Sequence, residues 1–368
     1  MKFSDFVGGS MSVTNISGQT MTVKGAVNPN DLGFTLMHEH IFSDYERLAN
    51  LNYDPTANSS MRGKDLTLAN LNFAREGKFP VGFMDEEDVA ITELNEYRAW
   101  GGNTIVDVTP IGLMRDTVTL RKISYITGVN IIMGAAYFAR VFPGNIESLS
   151  LEELTENIVQ DITIGIDESG IRAGIIGEVG IEGNPLNSNE IKIIKAAAIA
   201  SRLTGAPISL HRGGVNREKI EVLKIISDSG ADLSRVVLGH ADFIARDLPL
   251  LKELLNQGIY IEFDFLGNLG VPLAWKPGQE KVPPFIPADS GMVAKTILEL
   301  LDEGYEDRIL LSHDVGGKLR LKQYGGTGYS FILEKFIPHL KAGGVQDEQI
   351  HKIFIENPKK VLTFASPR

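Results

Sequence analysis

The sequence predicts an α/β protein built as a single-domain (β/α)₈ barrel of the TIM type. Short apolar runs rich in β-branched residues alternate with amphipathic segments of helix length, a pattern typical of parallel strands covered by helices. Eight such runs occur, which is the number of strands that closes this barrel. An open doubly wound sheet would more often show a GxGxxG turn after its first strand, and the chain has none there.

The predicted elements follow one another along the chain. The strands are 33–40, 104–109, 130–136, 173–179, 207–212, 235–240, 260–265 and 308–314. The clearest helical segments between them are 86–100, 189–203 and 247–257. We expect residues 1–24 to form an N-terminal arm and residues 25–368 the barrel, which residues 328–368 close as helix, turn and helix.

Two predicted connections are long. Residues 41–85 follow the first strand and residues 266–290 follow the seventh. Both leave the carboxyl ends of strands, where barrel enzymes build their active-site loops. Loops of this length in a compact domain are either functional lids or partly disordered segments.

The composition excludes several classes of function. The 368 residues include 36 Lys and Arg against 47 Asp and Glu, giving a net charge of −11, which suits neither nucleic acid nor an anionic membrane as a partner. The absence of cysteine excludes disulfides, thiolate metal sites and cysteine nucleophiles. We see no signal peptide and no apolar run of membrane-spanning length, so we expect a cytoplasmic protein.

Most of the seven histidines lie where predicted strands end. His38 and His40 end the first strand, and His211 and His240 end the fifth and sixth. Asp314 ends the eighth strand. These positions form the rim of a barrel that carries catalytic residues.

The spacing of His38 and His40 has a geometric meaning. Residues i and i+2 of a strand point to the same face, so both imidazoles are expected to project into the barrel mouth. Such a pair alone also fits a structural hydrogen-bond network, but three further polar strand ends favour a metal site. Nitrogen and carboxylate donors without sulfur suit Zn²⁺, Mn²⁺ or Co²⁺.

Five separated segments resemble, in order, the signatures of the phosphotriesterase-like family of the amidohydrolase superfamily: GFTLMHEHIF, IRAGIIGEVG, KAAAIASRLTGAPISLHRGG, RVVLGHAD and RILLSHD. The resemblance runs from about residue 22 to the end of the chain. It implies two divalent metal ions, zinc first among the candidates. His38, His40 and Asp314 would hold the more buried ion, and His211 and His240 the more exposed one.

The bridging ligand departs from phosphotriesterase itself, which has a carboxylated lysine at the end of strand four. This chain has Gly177, Glu178 and Val179 there, and a branch of the family that resembles phospho-sugar lactonases carries a glutamate in a similar context. We therefore expect Glu178 to bridge the metals, which requires a local bulge because a one-residue shift reverses the facing of a side chain. The alternative is that Glu178 pairs with a basic side chain and another group bridges.

The resemblance also implies the chemistry. A hydroxide that bridges the metals would attack the substrate, and Asp314 would take its proton. Asp242, two residues after His240, is either a relay or orienting residue behind the metals or an ordinary cap at the strand end. A non-catalytic binding protein on the same barrel is the alternative from another class, and the complete ligand set disfavours it.

Substrate binding is predicted from residues near the barrel mouth. The candidates are Tyr137, Arg212, Lys276, Lys318, Arg320 and Tyr324. Three of them follow Asp314 closely and form, with Lys322, a basic cluster in an acidic protein, which suits an anionic substrate such as a phosphate. The alternative for the basic cluster is a solvated loop with scattered lysines. The alternative for Tyr137 is a packing role at the rim.

These features together predict a lactonase or esterase, with a phosphorylated sugar 1,4-lactone as the sharpest version. The alternatives within the enzyme class are a phosphotriesterase, a carboxylesterase or an acyl-homoserine lactonase. An acyl-homoserine lactonase needs an apolar channel, for which the loop after the seventh strand offers Leu266 and the apolar residues up to Trp275. Family likeness further suggests a homodimer that acts on a small molecule.

Overall fold

A computed structural model of the chain describes residues 16–44, 65–75, 83–138, 146–183, 185–212, 217–268 and 287–368. All eight predicted strands are present, each somewhat shorter than predicted. They are β1 Thr35–Glu39, β2 Thr104–Asp107, β3 Asn130–Met133, β4 Ile176–Val179, β5 Ile208–Leu210, β6 Val236–Leu238, β7 Tyr260–Phe263 and β8 Ile309–Leu311.

The strands are parallel and neighbour one another in chain order, with β1–β3 in one ladder and β4–β8 in another. A bridge between Gly134 and Ile175 joins β3 to β4. Beyond the ends of β8 and β1, the Asp314 amide donates to the His38 carbonyl at 3.1 Å. The sheet therefore closes into the predicted barrel, which is distorted because the ladder thins at these two joints.

Helices cover the outside of the barrel. They are α1 Leu71–Arg75, α2 Glu87–Ala99, α3 Thr117–Thr127, α4 Leu151–Thr163, α5 Ser188–Thr204, α6 Glu218–Asp228, α7 Leu248–Leu255 and α8 Ser290–Asp302. Capping boxes at Ser150 and Asn187 fix where α4 and α5 begin, because each satisfies backbone amides that lack a partner in the first turn. None of the helices in the described residues combines the length and apolar character that a membrane crossing needs.

The C-terminal segment is helix, turn and helix, as predicted. It comprises a π-helical turn Ile332–Phe336, α9 Ile337–Ala342, α10 Asp347–His351, a second π-helical turn Lys352–Glu356 and α11 Asn357–Leu362. Short 3₁₀ turns lie at Pro29–Asp31, Ile146–Ser148, Leu233–Arg235, Ala241–Ile244, Glu306–Arg308, Lys318–Arg320 and Lys322–Tyr324.

Two short antiparallel ribbons accompany the barrel. Thr20–Thr22 pairs with Gly25–Val27, so a hairpin turn lies at the predicted border between arm and barrel. The Val23 amide donates to the carbonyl of Ile131 in β3, which attaches this hairpin to the barrel. Within the loop after β1, Ser43–Asp44 pairs with Phe83–Met84.

Apolar side chains of the strands fill two cores. Met37, Val106, Ile132, Val237 and Leu310 belong to a small cluster inside the barrel. Their neighbours one residue away along each strand belong to the large cluster between the strands and the helices. This alternation follows from the two-residue period of a strand and leaves the carboxyl ends of the strands to polar side chains.

Candidate metal centre

Side chains from five strands meet at the mouth of the barrel. They are His38, His40, Glu178, His211, His240 and Asp314, all placed here by the sequence analysis. These six residues form two groups in which one donor atom per residue lies within 4.8 Å of the others, and His38 and His240 form a third such group with Asp264. The first group is His38, His40 and Asp314, and the second is Glu178, His211 and His240.

The Glu178 carboxylate belongs to the second group and also lies close to the first. Its Oε2 is 3.5 Å from Nε2 of His38 and 4.0 Å from Nε2 of His240, and its Oε1 is 3.9 Å from Nε2 of His40. One carboxylate therefore faces imidazoles of both groups. Asp314 Oδ1 closes the first group at 3.2 Å from His40 Nε2 and 3.9 Å from His38 Nε2.

A bulge turns the end of β1 inward. Leu36 pairs with Ile105 but Glu39 pairs with Asp107, so β1 has one extra residue between these pairs. Leu36 packs in the outer core, and strict alternation would place His38 on that same outer face. The extra residue reverses the facing and brings His38 to the inside of the barrel.

The same device acts in β4, where the sequence analysis required it. Ile176 pairs with Ile208 and Val179 with Leu210, so β4 also gains one residue. The bulge brings Glu178 inside while Ile176 and Val179 stay in the outer core. Position 177 has no room for a side chain, because a Cβ there would lie 2.7 Å from Cβ of Ser209.

Two further ligand candidates lie on unusual backbone. His240 and Asp314 have φ angles of 53° and 52°, in the left-handed region that costs a non-glycine residue roughly 1–2 kcal/mol. Such residues concentrate at functional sites, where the surrounding structure holds them in place. Gly239 precedes His240 and has no room for a Cβ, which would lie 2.8 Å from the Leu210 carbonyl oxygen and 3.2 Å from His38 Nδ1.

Three imidazoles use their Nδ1 atoms to contact the protein. His40 Nδ1 lies 2.9 Å from the Thr109 hydroxyl, His211 Nδ1 lies 3.1 Å from the Ile181 carbonyl oxygen, and His240 Nδ1 lies 2.7 Å from Asp264 Oδ1. Each contact orients the ring and leaves Nε2 for the cluster, as is usual for histidines that bind metal.

His38 provides the clearest sign that the cluster suits a cation. Its ring is fully buried, and its Nε2 has no hydrogen-bond partner in the part of the chain that the structure describes. Glu178 Oε2 and Asp314 Oδ1 lie 3.5 and 3.9 Å from this nitrogen. Buried polar atoms normally have partners, and nitrogen and carboxylate donors without sulfur fit a zinc-like divalent ion.

Charge in the cluster is strongly coupled. Burial alone would raise the pKa of Glu178 and of Asp314, but the surrounding histidines outweigh it and hold both well below their usual range. Burial and neighbouring His240 lower the pKa of His211 to about 3. At neutral pH the site therefore offers carboxylates and at least one neutral imidazole, which are the forms that bind metals.

Asp242 lies behind the cluster. Its buried Oδ2 accepts hydrogen bonds from the amides of Asp264 and Phe265, at 2.8 and 3.2 Å. Asp264 in turn holds the ring and the amide of His240. The sequence analysis missed Asp264 and Thr109, although Asp264 directly follows the last residue of β7 and so shares the strand-end position of the predicted ligands.

Phe138, and not the predicted Tyr137, lies next to the cluster. Its ring centroid lies 4.9 Å from that of His211. Tyr137 is also buried, but its hydroxyl accepts a hydrogen bond from Asn157 of α4 at 2.8 Å, on the outer side of the barrel. Consecutive strand residues face opposite ways, and the sequence analysis chose the outward-facing one of the pair.

The cations in the loop after β8 have different surroundings. Lys318 forms an ion pair with Glu86 at 2.7 Å, and the Tyr324 hydroxyl donates to the same carboxylate. Lys322 pairs with Glu96 and Glu334. Carboxylates of the protein itself thus partner both lysines of this loop.

Arg320 is the exception in that loop. Among the described residues, no carboxylate lies within ion-pair distance of its guanidinium, and none is a hydrogen-bond partner of its buried Nη1. The guanidinium lies 5.2 Å from the centroid of the Phe265 ring, which in turn lies 5.0 Å from that of His240. Arg320 is therefore separated from the cluster by one aromatic ring.

The other two predicted substrate contacts are less informative. Arg212 follows His211 and lies 3.8 Å from Glu182 Oε1. Lys276 and most of the apolar stretch predicted to line an acyl channel lie outside the described residues.

One family model and several known proteins match nearly the whole chain. The model of the phosphotriesterase family matches residues 18–362. A phosphotriesterase-related protein from Nematostella vectensis is 37% identical over 357 residues, covering 95% of this chain and 99% of that protein. An N-acetyltaurine hydrolase from Dictyostelium discoideum is 35% identical over 374 residues, covering 95% and 99%. The crystal structure of a resiniferatoxin-binding protein from Rhodobacter sphaeroides has a TM-score of 0.85 and 34% identity, covering 95% of this chain and 96% of that one.

Proposed function

The chain belongs to the phosphotriesterase family of the amidohydrolase superfamily and is a hydrolase, and we propose that its substrate is a short N-acyl amide with an anionic end. N-acetyltaurine, an acetyl amide that carries a sulfonate, is the first substrate to test. The observation that carries the proposal is the convergence of six metal-ligand candidates one aromatic ring away from the half-buried Arg320.

The residues divide into two metal sites. His38, His40 and Asp314 would hold one divalent ion, His211 and His240 would hold the other, and Glu178 would contribute to both. Two bound ions would supply a water of lowered pKa and a Lewis acid for the carbonyl of the substrate. Zinc is the first candidate, with manganese and cobalt as alternatives.

The protein supplies the proton transfers and the orientation. Asp314 is an ionised carboxylate of the first site, so it takes the proton of the attacking water and returns it to the leaving amine. Asp242 acts at one remove, since it fixes Asp264, which orients His240. Phe138 and Phe265 pack beside His211 and His240 and exclude water from one side of the site.

Arg320 supplies the recognition of the anionic end. Burial lowers the pKa of its guanidinium and the nearby Asp314 partly offsets this, but arginine keeps its charge in proteins. A half-buried cation with a free N–H favours a ligand that brings two oxygens, such as a sulfonate, carboxylate or phosphate. The relatives named N-acetyltaurine hydrolases supply the amide part of the proposal.

The test compares N-acetyltaurine with N-acetylethanolamine, in which a hydroxyl replaces the sulfonate. Protein loaded with Zn²⁺ or Mn²⁺ should release acetate from both and prefer the sulfonate by about 10–100-fold in kcat/KM, the value of one charge-assisted hydrogen bond. No acetate from either compound would refute the amide. Equal rates would refute the anion site.

A phosphorylated sugar 1,4-lactone is the second candidate. It is favoured by the same guanidinium, whose planar edge fits a phosphate with two parallel hydrogen bonds. The decisive comparison is one aldono-1,4-lactone with and without a 5-phosphate, followed by acid release. A lactonase would turn over the phosphorylated form faster than N-acetyltaurine, and an amidase would show the opposite order.

A further inference from the structure

The glutamate between His38 and His40 lies outside the cluster. Glu39 is fully buried, and it faces away from the ligand side of β1. Its carboxylate accepts four hydrogen bonds. Oε1 accepts from the Ser312 hydroxyl at 2.8 Å, the His313 amide at 2.9 Å and His313 Nδ1 at 2.8 Å, and Oε2 accepts from the Val315 amide at 3.0 Å.

All four donors flank Asp314. The amides of His313 and Val315 are those immediately before and after it, so one carboxylate holds the backbone on both sides of the ligand. Asp314 itself has the left-handed φ angle of 52°, a conformation that persists only where neighbouring bonds enforce it. The bonds to Glu39 are in position to do so, together with the bond from the Asp314 amide to the His38 carbonyl.

The same network reaches the ligand on β1. The His38 amide donates to Oγ of Ser312 at 3.0 Å, and Ser312 donates onward to Glu39. It also reaches the C-terminal segment, because the Ile332 amide donates to Nε2 of His313 at 3.2 Å. His313 therefore carries its proton on Nδ1, and that proton is the one shared with Glu39.

We propose that Glu39 is a positioning residue of the metal centre, which sets the angle between the ligands of β1 and β8. The described partners of its carboxylate are Ser312, His313 and Val315, and none of them is a ligand candidate. Glu39 acts by holding the Asp314 backbone and, through Ser312, the His38 backbone. This inference rests on the metal centre of the proposed function and not on the identity of the substrate.

The test is Glu39→Gln, which keeps the shape but sets an NH₂ group against one or more backbone donors. We expect weaker binding of Zn²⁺ by about 10–100-fold, the usual effect of losing a residue that orients metal ligands. We also expect a changed visible absorption spectrum of the Co²⁺-loaded protein, since that spectrum reports ligand geometry. The unfolding temperature should fall as well.

Glu93→Gln is the matched control. Glu93 is also a buried glutamate, and its Oε1 accepts a hydrogen bond from the backbone amide of Gln323 at 3.0 Å, which flanks no metal-ligand candidate. This variant should lower the unfolding temperature but leave the Zn²⁺ affinity and the Co²⁺ spectrum unchanged. The same spectral and affinity changes in both variants would overturn the proposal.

A second variant covers the case in which Glu39→Gln does not fold. Ser312→Ala removes one donor to Glu39 and the acceptor of the His38 amide, and we expect a smaller shift of the Co²⁺ spectrum. An unchanged spectrum and affinity in the folded variant would overturn the inference while the metal centre stood. Wild-type protein that binds neither Zn²⁺ nor Co²⁺ would overturn the metal centre itself.

Discussion

The ligand cluster at the strand ends and the loop after β8 both contain ionisable side chains, but in opposite situations. In the cluster, carboxylates and imidazoles are buried and face one another at 3.2–4.0 Å. In the loop, Lys318 and Lys322 each pair with glutamates of the surrounding helices. Arg320 belongs to the loop by sequence but resembles the cluster, since its buried Nη1 has no hydrogen-bond partner in the part of the chain that the structure describes.

This difference separates residues that bind a metal or substrate from residues that hold a loop in place. Charged side chains at the surface readily form ion pairs within the protein, and such pairs contribute little to its stability. Buried polar atoms that lack partners are costly, so they persist where a ligand compensates them. We therefore assign His38 to metal binding and Arg320 to substrate binding, whereas Lys318 holds the loop in place.

The largest effect is expected inside the cluster. Asp314→Asn removes a ligand charge and the proton acceptor, so kcat should fall by about 10³-fold, the loss of several kcal/mol of transition-state stabilisation. Asp289→Asn is the control, because Asp289 caps α8 at the surface and asparagine caps equally well. A residual rate above a tenth of wild type, at saturating Zn²⁺, would contradict the assigned role.

Arg320→Met tests the residue that crosses between the two regions. We expect kcat/KM for N-acetyltaurine to fall by about 10–100-fold, because a charge-assisted hydrogen bond is lost. The rate with uncharged N-acetylethanolamine should change by less than about threefold. Equal losses on both compounds would mean that Arg320 supports the structure of the site and does not bind the anion.

Protons should act on the cluster and not on the loop. Burial alone would lower the pKa of His38, but Asp264 and the neighbouring carboxylates outweigh it and raise that pKa well above 6.5; the pKa of His40 is also raised. Metal must displace these protons, so Zn²⁺ affinity should fall with falling pH by about tenfold per unit for each proton displaced. Competition titrations at pH 6, 7 and 8 measure this, and a flat profile would be inconsistent with histidine ligation.

The smallest effect is expected in the loop. Lys318→Met breaks an ion pair whose partners are partly exposed, so the free energy of unfolding should drop by about 1 kcal/mol or less. We expect kcat/KM to stay within about threefold of wild type. A drop comparable with that of Arg320→Met would restore Lys318 as a substrate contact, as the sequence analysis predicted.

Much of this protein could be predicted from local sequence. The eight β-branched runs form eight strands. They alternate with amphipathic helices, and a strand that is apolar on both faces is stable when it is buried between the barrel interior and those helices. Six polar residues at strand ends converge because parallel strands of a barrel bring their carboxyl ends to one mouth. The glutamate in the fourth strand could also be identified, together with the bulge that its inward facing requires.

Other features depended on contacts between distant segments. Asp264 and Thr109 orient histidines of other strands, and Lys318 finds its glutamate more than 200 residues away, so no local pattern indicates these pairs. Which of Tyr137 and Phe138 faces the cluster depended on the backbone direction in the segment that follows β3. Sequence alone determined which residue types gather at the mouth, because periodicity and strand order are local properties. The tertiary structure decided which of them remain without a partner, because compensation of a buried charge is a property of everything packed around it.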